Sequence, residues 1–129
     1  MPDPRKVLVI DDEVHIRRVI EVILKKRGYE VITAKNGEEG LEAIRSLQPD
    51  AVISDIRMPK LDGEALCKMV NPLKEFRSFL TVIMTARISP DEQKWIDGMK
   101  DTIFMEKPFS PLRLADCIDR YFEDKLMNT

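Results

Sequence analysis

The side chains in this 129-residue sequence that could do chemistry lie at the ends of short apolar segments. They are carboxylates, one hydroxyl and one ammonium group: Asp11, Asp12, Glu13, Asp55, Thr85 and Lys107. Carboxylate oxygens are the ligands that Mg²⁺ prefers, and hydroxyl and ammonium groups donate hydrogen bonds to phosphoryl oxygens. These residue types therefore indicate metal-assisted phosphoryl chemistry, provided that the fold brings them to one place.

Five segments rich in β-branched residues predict β-strands. Their sequences are KVLVI (6–10), YEVITA (29–34), DAVIS (50–54), LTVIM (80–84) and TIFME (102–106). The longer segments between and after them have apolar residues at helical spacing. The sequence therefore predicts five strands that alternate with five helices.

Capping residues and apolar periodicity place the five helices. The residues that mark helix ends are, in chain order, Gly28, Asn36 with Glu39, Asp62, Ser89 with Pro90 and Glu92, and Ser110 with Pro111. The residues predicted to face the core are Ile16, Val19, Ile20 and Ile23; Leu41, Ile44 and Leu47; Leu66, Met69, Val70 and Leu73; and Leu114, Ile118 and Phe122.

The alternation of strands and helices predicts an α/β fold. Parallel neighbours need right-handed crossover connections, which place helices on both faces of the sheet. For five strands in a chain of this size we expect a doubly wound, flavodoxin-like parallel sheet in the order 2-1-3-4-5. No linker or repeat interrupts the pattern, so we expect one domain over residues 1–129.

The carboxyl ends of parallel strands meet at one edge of a sheet, so the reactive side chains should meet there. Neighbouring strands lie about 4.8 Å apart, and Asp12 and Asp55 would repel each other strongly at adjacent strand ends. Mg²⁺ would relieve this repulsion, while Lys107 and Thr85 would contact phosphoryl oxygens. Asp55, fixed at a strand end, is then placed to attack phosphorus and become an acyl phosphate.

Four motifs together resemble the receiver domain of bacterial two-component response regulators. They are Asp11-Asp12, Asp55 in SDIRMPKLDG, Thr85 in MTAR and Lys107 in EKPF. The resemblance runs from about Arg5 to about Glu123, which is nearly the whole chain. Their combination in this order and spacing is far more specific than any one of them.

The resemblance implies a role for each matching residue. Asp55 would be the phosphoacceptor, Asp12 a direct Mg²⁺ ligand and Asp11 a ligand acting through water. The backbone carbonyl of Arg57 would complete the metal ligands that the protein supplies. Thr85 and Lys107 would bind the phosphoryl group, the Lys107–Pro108 peptide bond would be cis, and Phe104 would be the aromatic residue of the switch.

The resemblance also implies a function and partners. The phosphoryl group would come from the phosphohistidine of a sensor histidine kinase or of a phosphotransfer protein. The domain would catalyse only its own phosphorylation and dephosphorylation. Its signal would pass through the face of the fourth helix, fifth strand and fifth helix to an output protein or domain that the residues do not identify.

Two features depart from the family pattern. The Gly-Ala pair that commonly follows the fourth helix is replaced by Lys100 and Asp101, with Gly98 the nearest glycine. Arg57 and Arg87 lie two residues past the acceptor and the threonine, where side chains tend to flank the site. We hypothesise that these two arginines favour small phosphodonors and obstruct the water that hydrolyses the acyl phosphate.

Other functions stay open at this point. An unphosphorylated docking module is one, although all the site residues are retained. An Mg²⁺-dependent phosphohydrolase with a nucleophilic aspartate is another, but such enzymes need a second acid near the nucleophile, where this chain has Arg57. A P-loop nucleotide switch is excluded because the motif is missing. The chain could be a stand-alone receiver or part of a longer regulator or hybrid kinase.

The composition of the chain bears on its partners and its location in the cell. Charged residues make up 34% of the chain but leave a net charge of only −2, so we expect no direct contact with nucleic acid. No apolar segment approaches the roughly eighteen residues of a membrane span or resembles a signal peptide. We therefore expect a cytoplasmic protein without membrane contact.

Overall fold

The computed structural model describes residues 4–56, 63–75, 79–85, 90–99, 101–107 and 110–127. Its sheet contains β1 Lys6–Ile10, β2 Glu30–Ala34, β3 Ala51–Asp55, β4 Leu80–Thr85 and β5 Thr102–Glu106. All neighbouring strands are parallel, and their order is β2-β1-β3-β4-β5. The predicted fold class and strand order are confirmed.

Two strands extend further toward the carboxyl edge than the sequence predicted. Asp55 belongs to β3 and is in register with Met84, and Thr85 belongs to β4 and is in register with Glu106. The amide of Ile56 continues this pairing by donating to the carbonyl of Met84 (N to O, 3.0 Å). Both polar residues were predicted to follow their strands, but each is the last residue of a strand and is held by the sheet.

The helices are α1 Val14–Lys26, α2 Gly37–Leu47, α3 Gly63–Val70, α4 Pro90–Asp97 and α5 Pro111–Met127, with a 3₁₀ helix at Asn71–Glu75. Pro90 and Pro111 occupy the first positions of α4 and α5 as predicted. The predicted starts Asp62 and Ser89 lie outside the described residues. None of the helices in the described ranges is long and apolar enough to cross a membrane.

Local chemistry explains where α1 and α2 end and begin. Asn36 caps α2, and its Oδ1 accepts a hydrogen bond from the Glu39 amide (2.9 Å). Gly28 follows α1 with φ of +92°, a backbone conformation that favours glycine. The amides of Gly28 and Tyr29 donate to the carbonyls of Lys25 and Leu24, which satisfies the last turn of the helix.

The helices pack on both faces of the sheet, as predicted. On one face, α1 and α5 pack against alternate residues of the central strands, and their buried side chains include Ile20, Leu24, Leu114, Ile118 and Phe122. On the other face, α2 and α3 contribute Leu41, Ile44, Leu66 and Val70. Both faces of the central strands are therefore covered, whereas the edge strands β2 and β5 are only partly buried.

Three residues predicted to face the core do not. Val19 is 44% exposed, Leu47 is 42% exposed and Met69 is 45% exposed. A helix that lies on a sheet buries a stripe along one side, and residues flanking this stripe remain open to solvent. The predicted apolar stripes were therefore too wide.

The structure shows how the chain passes from α4 to β5 without the Gly-Ala pair that the family commonly has there, although Lys100 lies outside the described residues. Helix α4 ends at Asp97, directly before Gly98, so the helix is short. Asp101 adopts φ of +46°, a left-handed conformation that is uncommon outside glycine. Its carbonyl accepts from the Thr81 amide (2.8 Å), so this turn leads directly into β5.

Helix α2 approaches β1 at a glycine. A Cβ atom added at Gly40 would lie 2.3 Å from Cδ1 and 2.9 Å from Cγ1 of Ile10, a fully buried residue. The absence of a side chain at position 40 thus allows the close packing between α2 and β1.

We expect Gly40→Ala to lower the free energy of unfolding by about 1 kcal/mol, measured by urea denaturation. Overpacking a core costs about 1–3 kcal/mol, and the higher helix propensity of alanine offsets up to about 1 kcal/mol. Ile10→Val removes the Cδ1 atom that would clash, so Gly40→Ala should cost less in that background. An equal cost in both backgrounds would contradict the proposed contact.

Candidate functional site

Three carboxylates gather at the carboxyl edge of the sheet. Asp11, Asp12 and Asp55 each offer an oxygen, and these oxygens all lie within 4.8 Å of one another. Asp11 is fully buried and Asp55 is 7% exposed, whereas Asp12 is open to solvent. Like charges at this separation repel, and burial removes the water that would weaken their repulsion.

The sheet itself sets the positions of the reactive residues. Asp11 directly follows β1, and its amide extends the pairing with β2 by donating to the Ala34 carbonyl (3.2 Å). Asp55 and Thr85 end β3 and β4, which are neighbours. Lys107 directly follows β5, and its amide donates to the Thr85 carbonyl (2.6 Å).

Within the described part of the chain, only one oxygen of the Asp11 carboxyl group accepts a hydrogen bond. Its Oδ1 accepts a hydrogen bond from the Glu13 amide (2.9 Å). Its Oδ2 is buried and accepts no hydrogen bond from any residue that the structure describes. Burial raises the pKa of Asp11, the Glu13 amide opposes this rise, and the negative charge of Asp55 adds to it. A buried anionic oxygen without a donor is the kind of group that a cation satisfies.

Lys107 supplies a positive charge to the acidic group. Its Nζ donates to Oδ2 of Asp55 at 2.7 Å, and the side chain is half-buried. Burial lowers the pKa of the Lys107 ammonium, but the hydrogen bond to Asp55 and the charges of Asp55 and Asp11 outweigh burial. The pKa therefore lies above its usual value, and Lys107 stays protonated near neutral pH.

The structure brings together four of the predicted site residues: Asp11, Asp12, Asp55 and Lys107. Thr85 is buried on the strand between those of Asp55 and Lys107, which is where the prediction places it. Arg57, Arg87 and the Lys107–Pro108 bond lie outside the described residues. Glu13 does not join the acidic group and contributes its backbone amide instead.

Phe104, the predicted switch residue, lies on β5 in register with Ile83. It is partly buried and packs against a small cluster formed by Ile56, Cys67 and Ile83. Ile56 directly follows Asp55 in the chain, so this cluster links the acidic edge to the side of β5.

Arg17 is a site residue that the sequence analysis missed. From the second turn of α1, its Nη1 donates to the backbone carbonyl of Asp11 at 2.6 Å. The six-residue spacing between an acid at the end of a strand and an arginine in the following helix was the available signal. That spacing alone does not show that the guanidinium turns back toward the strand.

The donor set fits a hard divalent cation. It consists of carboxylate oxygens, one of them buried and lacking a hydrogen-bond donor among the described residues. Mg²⁺ selects oxygen ligands and is commonly held by one or two carboxylates together with water and phosphate. The site also contains an ammonium group, that of Lys107, which is hydrogen-bonded to Asp55.

The fold and the site define a class of α/β domain with its reactive group at the carboxyl edge of β1 and β3, where the strand order reverses. The family model of the response regulator receiver domain matches residues 7–119. The chain belongs to this family, whose members are regulatory phosphoacceptor domains of two-component signalling.

Two relatives show how the chain compares with whole proteins. The probable transcriptional regulator ycf27 of Cyanophora paradoxa is 40% identical over 112 residues, which are 85% of this chain and 45% of the relative. Protein PilG of Pseudomonas aeruginosa is 34% identical over 125 residues, which are 90% of this chain and 86% of PilG. The chain thus spans about half the length of the ycf27 regulators that it matches.

Solved structures agree with the fold. The chemotaxis protein CheY4 of Vibrio cholerae superimposes with a TM-score of 0.81 at 31% identity, covering 91% of this chain and 98% of CheY4. The similarity therefore extends over nearly the whole of that receiver.

We expect Asp11→Asn to raise the free energy of unfolding by about 1 kcal/mol when metal is removed with a chelator. The substitution keeps an oxygen for the Glu13 amide and replaces a buried carboxylate, which the charges of Asp55 and Asp12 repel, with a neutral amide. Single substitutions commonly change stability by about 0.5–3 kcal/mol. Urea denaturation measures the change. Asp12→Asn, at an exposed position, should give a smaller gain. A less stable Asp11→Asn protein would contradict the account of crowded carboxylates.

Proposed function

We propose that this chain is a phosphoacceptor switch in which Asp55 receives a phosphoryl group in an Mg²⁺-dependent reaction. The donor would be the phosphohistidine of a sensor histidine kinase or of a phosphotransfer protein. The observation that carries the proposal is the position of Asp55, a buried strand-end carboxylate between two other carboxylates and the ammonium of Lys107. Family membership supports the same function.

In the proposed reaction, a carboxylate oxygen of Asp55 attacks phosphorus and forms an acyl phosphate. The bond between phosphorus and the donor's imidazole nitrogen breaks, and its electron pair stays on the imidazole. Lys107, which holds Asp55 before the reaction, would then bind an oxygen of the transferred group. The rigid end of β3 fixes the nucleophile, and positioning is a large part of phosphoryl-transfer catalysis.

Asp12 and Asp55 would hold Mg²⁺ directly, Asp11 would act through water, and the backbone carbonyl of Arg57 would complete the set. Bound there, Mg²⁺ would neutralise the carboxylates and the phosphoryl oxygens together. The buried Oδ2 of Asp11, which accepts no hydrogen bond within the described part of the chain, supports this assignment.

We further propose that phosphorylation shifts a two-state equilibrium through Thr85 and Phe104. Thr85 would move toward the phosphoryl group, and Phe104 would turn inward in response. The positions of the two residues support this proposal. Thr85 lies on β4, next to the acceptor strand β3, and Phe104 lies on β5, one strand further. Phe104 also packs against Ile83 of β4. The face formed by α4, β5 and α5 would carry the signal to an output partner.

Self-catalysed hydrolysis of the acyl phosphate would reset the switch. Arg57 and Arg87 are proposed to slow this step and to attract small anionic donors, because guanidinium groups raise the local positive potential. Rates of labelling and of hydrolysis in a protein carrying Arg57→Ala and Arg87→Ala test this role. We expect slower labelling by small phosphodonors and faster hydrolysis of the acyl phosphate. If both rates are unchanged, the two arginines have no role in either step.

We expect incubation with acetyl phosphate and Mg²⁺ to add one phosphoryl group to the protein, observed by intact mass. Labelling should vanish with a chelator and in Asp55→Asn, because both the metal and the nucleophile are required. Asp50→Asn is the matched control: Asp50 precedes the other end of β3, and its Oδ2 accepts from the Lys6 amide at 2.8 Å. This variant should be labelled as well as the unsubstituted protein.

Two results would contradict the proposal. One is a phosphoryl group that persists in Asp55→Asn at the original level. The other is failure to label with acetyl phosphate, phosphoramidate and a phosphohistidine donor alike, which would favour the unphosphorylated docking module.

A further inference from the structure

We propose that Arg17 is a positioning residue for the acidic site, fixing Asp11 so that one of its oxygens stays available to the cation or to its bound water. This inference rests on the proposed Mg²⁺ site. It assigns to Arg17 an effect on metal affinity that its charge alone would not produce.

Asp11 has four polar atoms, and residues in the described ranges form hydrogen bonds with three of them. Its amide donates to the carbonyl of Ala34 (3.2 Å), and its Oδ1 accepts from the amide of Glu13 (2.9 Å). Its backbone carbonyl accepts from Nη1 of Arg17 (2.6 Å). Only Oδ2 accepts no hydrogen bond from the described residues, and it is buried. The contacts around Asp11 thus hold the residue and leave this one oxygen for a cation or its bound water.

The contact from Arg17 also bears on Asp12. The carbonyl of Asp11 and the amide of Asp12 belong to one planar peptide unit. A guanidinium that holds the carbonyl therefore fixes the plane from which Asp12 departs. Asp12 is exposed, so the backbone is the main means by which the fold can orient it.

The location of Arg17 is unfavourable for the helix itself. A cation near the N-terminus of a helix is disfavoured by the helix dipole, and this guanidinium reaches back past Glu13, the N-cap residue of α1. The side chain is half-buried, and charge-assisted hydrogen bonds of this kind are the stronger ones. The contact with Asp11 offsets the unfavourable position.

Charge and positioning make opposite predictions for Mg²⁺ affinity. A positive charge near the carboxylates repels a second cation, so removing a guanidinium that acts only through charge should tighten Mg²⁺ binding. Removing a guanidinium that positions Asp11 should weaken Mg²⁺ binding, as loss of groups that orient metal ligands does. The sign of the change therefore separates the two roles.

Isothermal titration calorimetry with Mg²⁺, performed on the full chain, measures the Mg²⁺ affinity and tests the proposal. We expect Arg17→Ala to weaken Mg²⁺ binding about tenfold, the lower end of the range for loss of an orienting partner. Arg18→Ala is the matched control, since Arg18 is the next residue of α1 and is exposed. The Arg18→Ala protein should bind Mg²⁺ as tightly as the unsubstituted protein or slightly more tightly. Arg17→Lys keeps a charged donor and should recover part of the loss.

Circular dichroism in chelator establishes that each variant is folded. Arg17→Met keeps the aliphatic stem of the side chain and replaces Arg17→Ala if the latter fails to fold; the same tenfold weakening is expected of it. Mg²⁺ affinity equal to or tighter than that of the unsubstituted protein, in either folded variant, would overturn the positioning role alone. Failure of the unsubstituted protein to bind Mg²⁺ would instead overturn the proposed metal site and the inference with it.

Discussion

The crowding of three carboxylates at the carboxyl edge of a parallel sheet is the constraint on which the rest of this structure depends. Their oxygens lie within 4.8 Å of one another, and two of the three side chains are buried. The ammonium of Lys107 compensates part of this charge through Asp55. The remaining negative charge is of the kind that a divalent cation would neutralise.

A sheet covered on both faces can sustain such an unfavourable arrangement. The apolar clusters on the two faces hold β1, β3 and β4 in place, and the polar residues lie where the strands end.

The opposite edge of the sheet, where the strands begin, has a polar contact of its own. Asp101 has a left-handed backbone, and its Oδ2 accepts from the hydroxyl of Tyr121 on α5 (3.3 Å). This contact joins the start of β5 to α5 within the proposed output face.

The sequence predicted a parallel sheet and its acidic edge because both follow from simple rules, whereas the strand order was inferred from the number of strands and the size of the chain. Alternating strands and helices require a parallel sheet, and a parallel sheet brings every strand end to one edge. The misassigned residues Val19, Leu47 and Met69 show a limit of this reasoning. Apolar character at helical spacing locates a face, but its width depends on the surface against which the helix packs.

Arg17 shows a second limit. A side chain that binds a backbone carbonyl leaves no complementary residue in the sequence, so pairing rules based on residue types do not find it. The left-handed Asp101 is similar, because a turn normally signalled by glycine is formed here by an aspartate whose side chain contacts α5. The contact of Arg17 depends on the course of the backbone, and that of Asp101 depends on an element distant in the chain. Residue types at local spacing predict neither.

The most direct test of the account is to locate the phosphoryl group on the chain. Reduction of the labelled protein with borohydride converts an acyl phosphate to an alcohol, and peptide mass mapping then identifies the modified aspartate. The account predicts conversion at Asp55 in the presence of Mg²⁺ and none when Mg²⁺ is chelated. Conversion at Asp11 or Asp12, or conversion that does not depend on Mg²⁺, would contradict it.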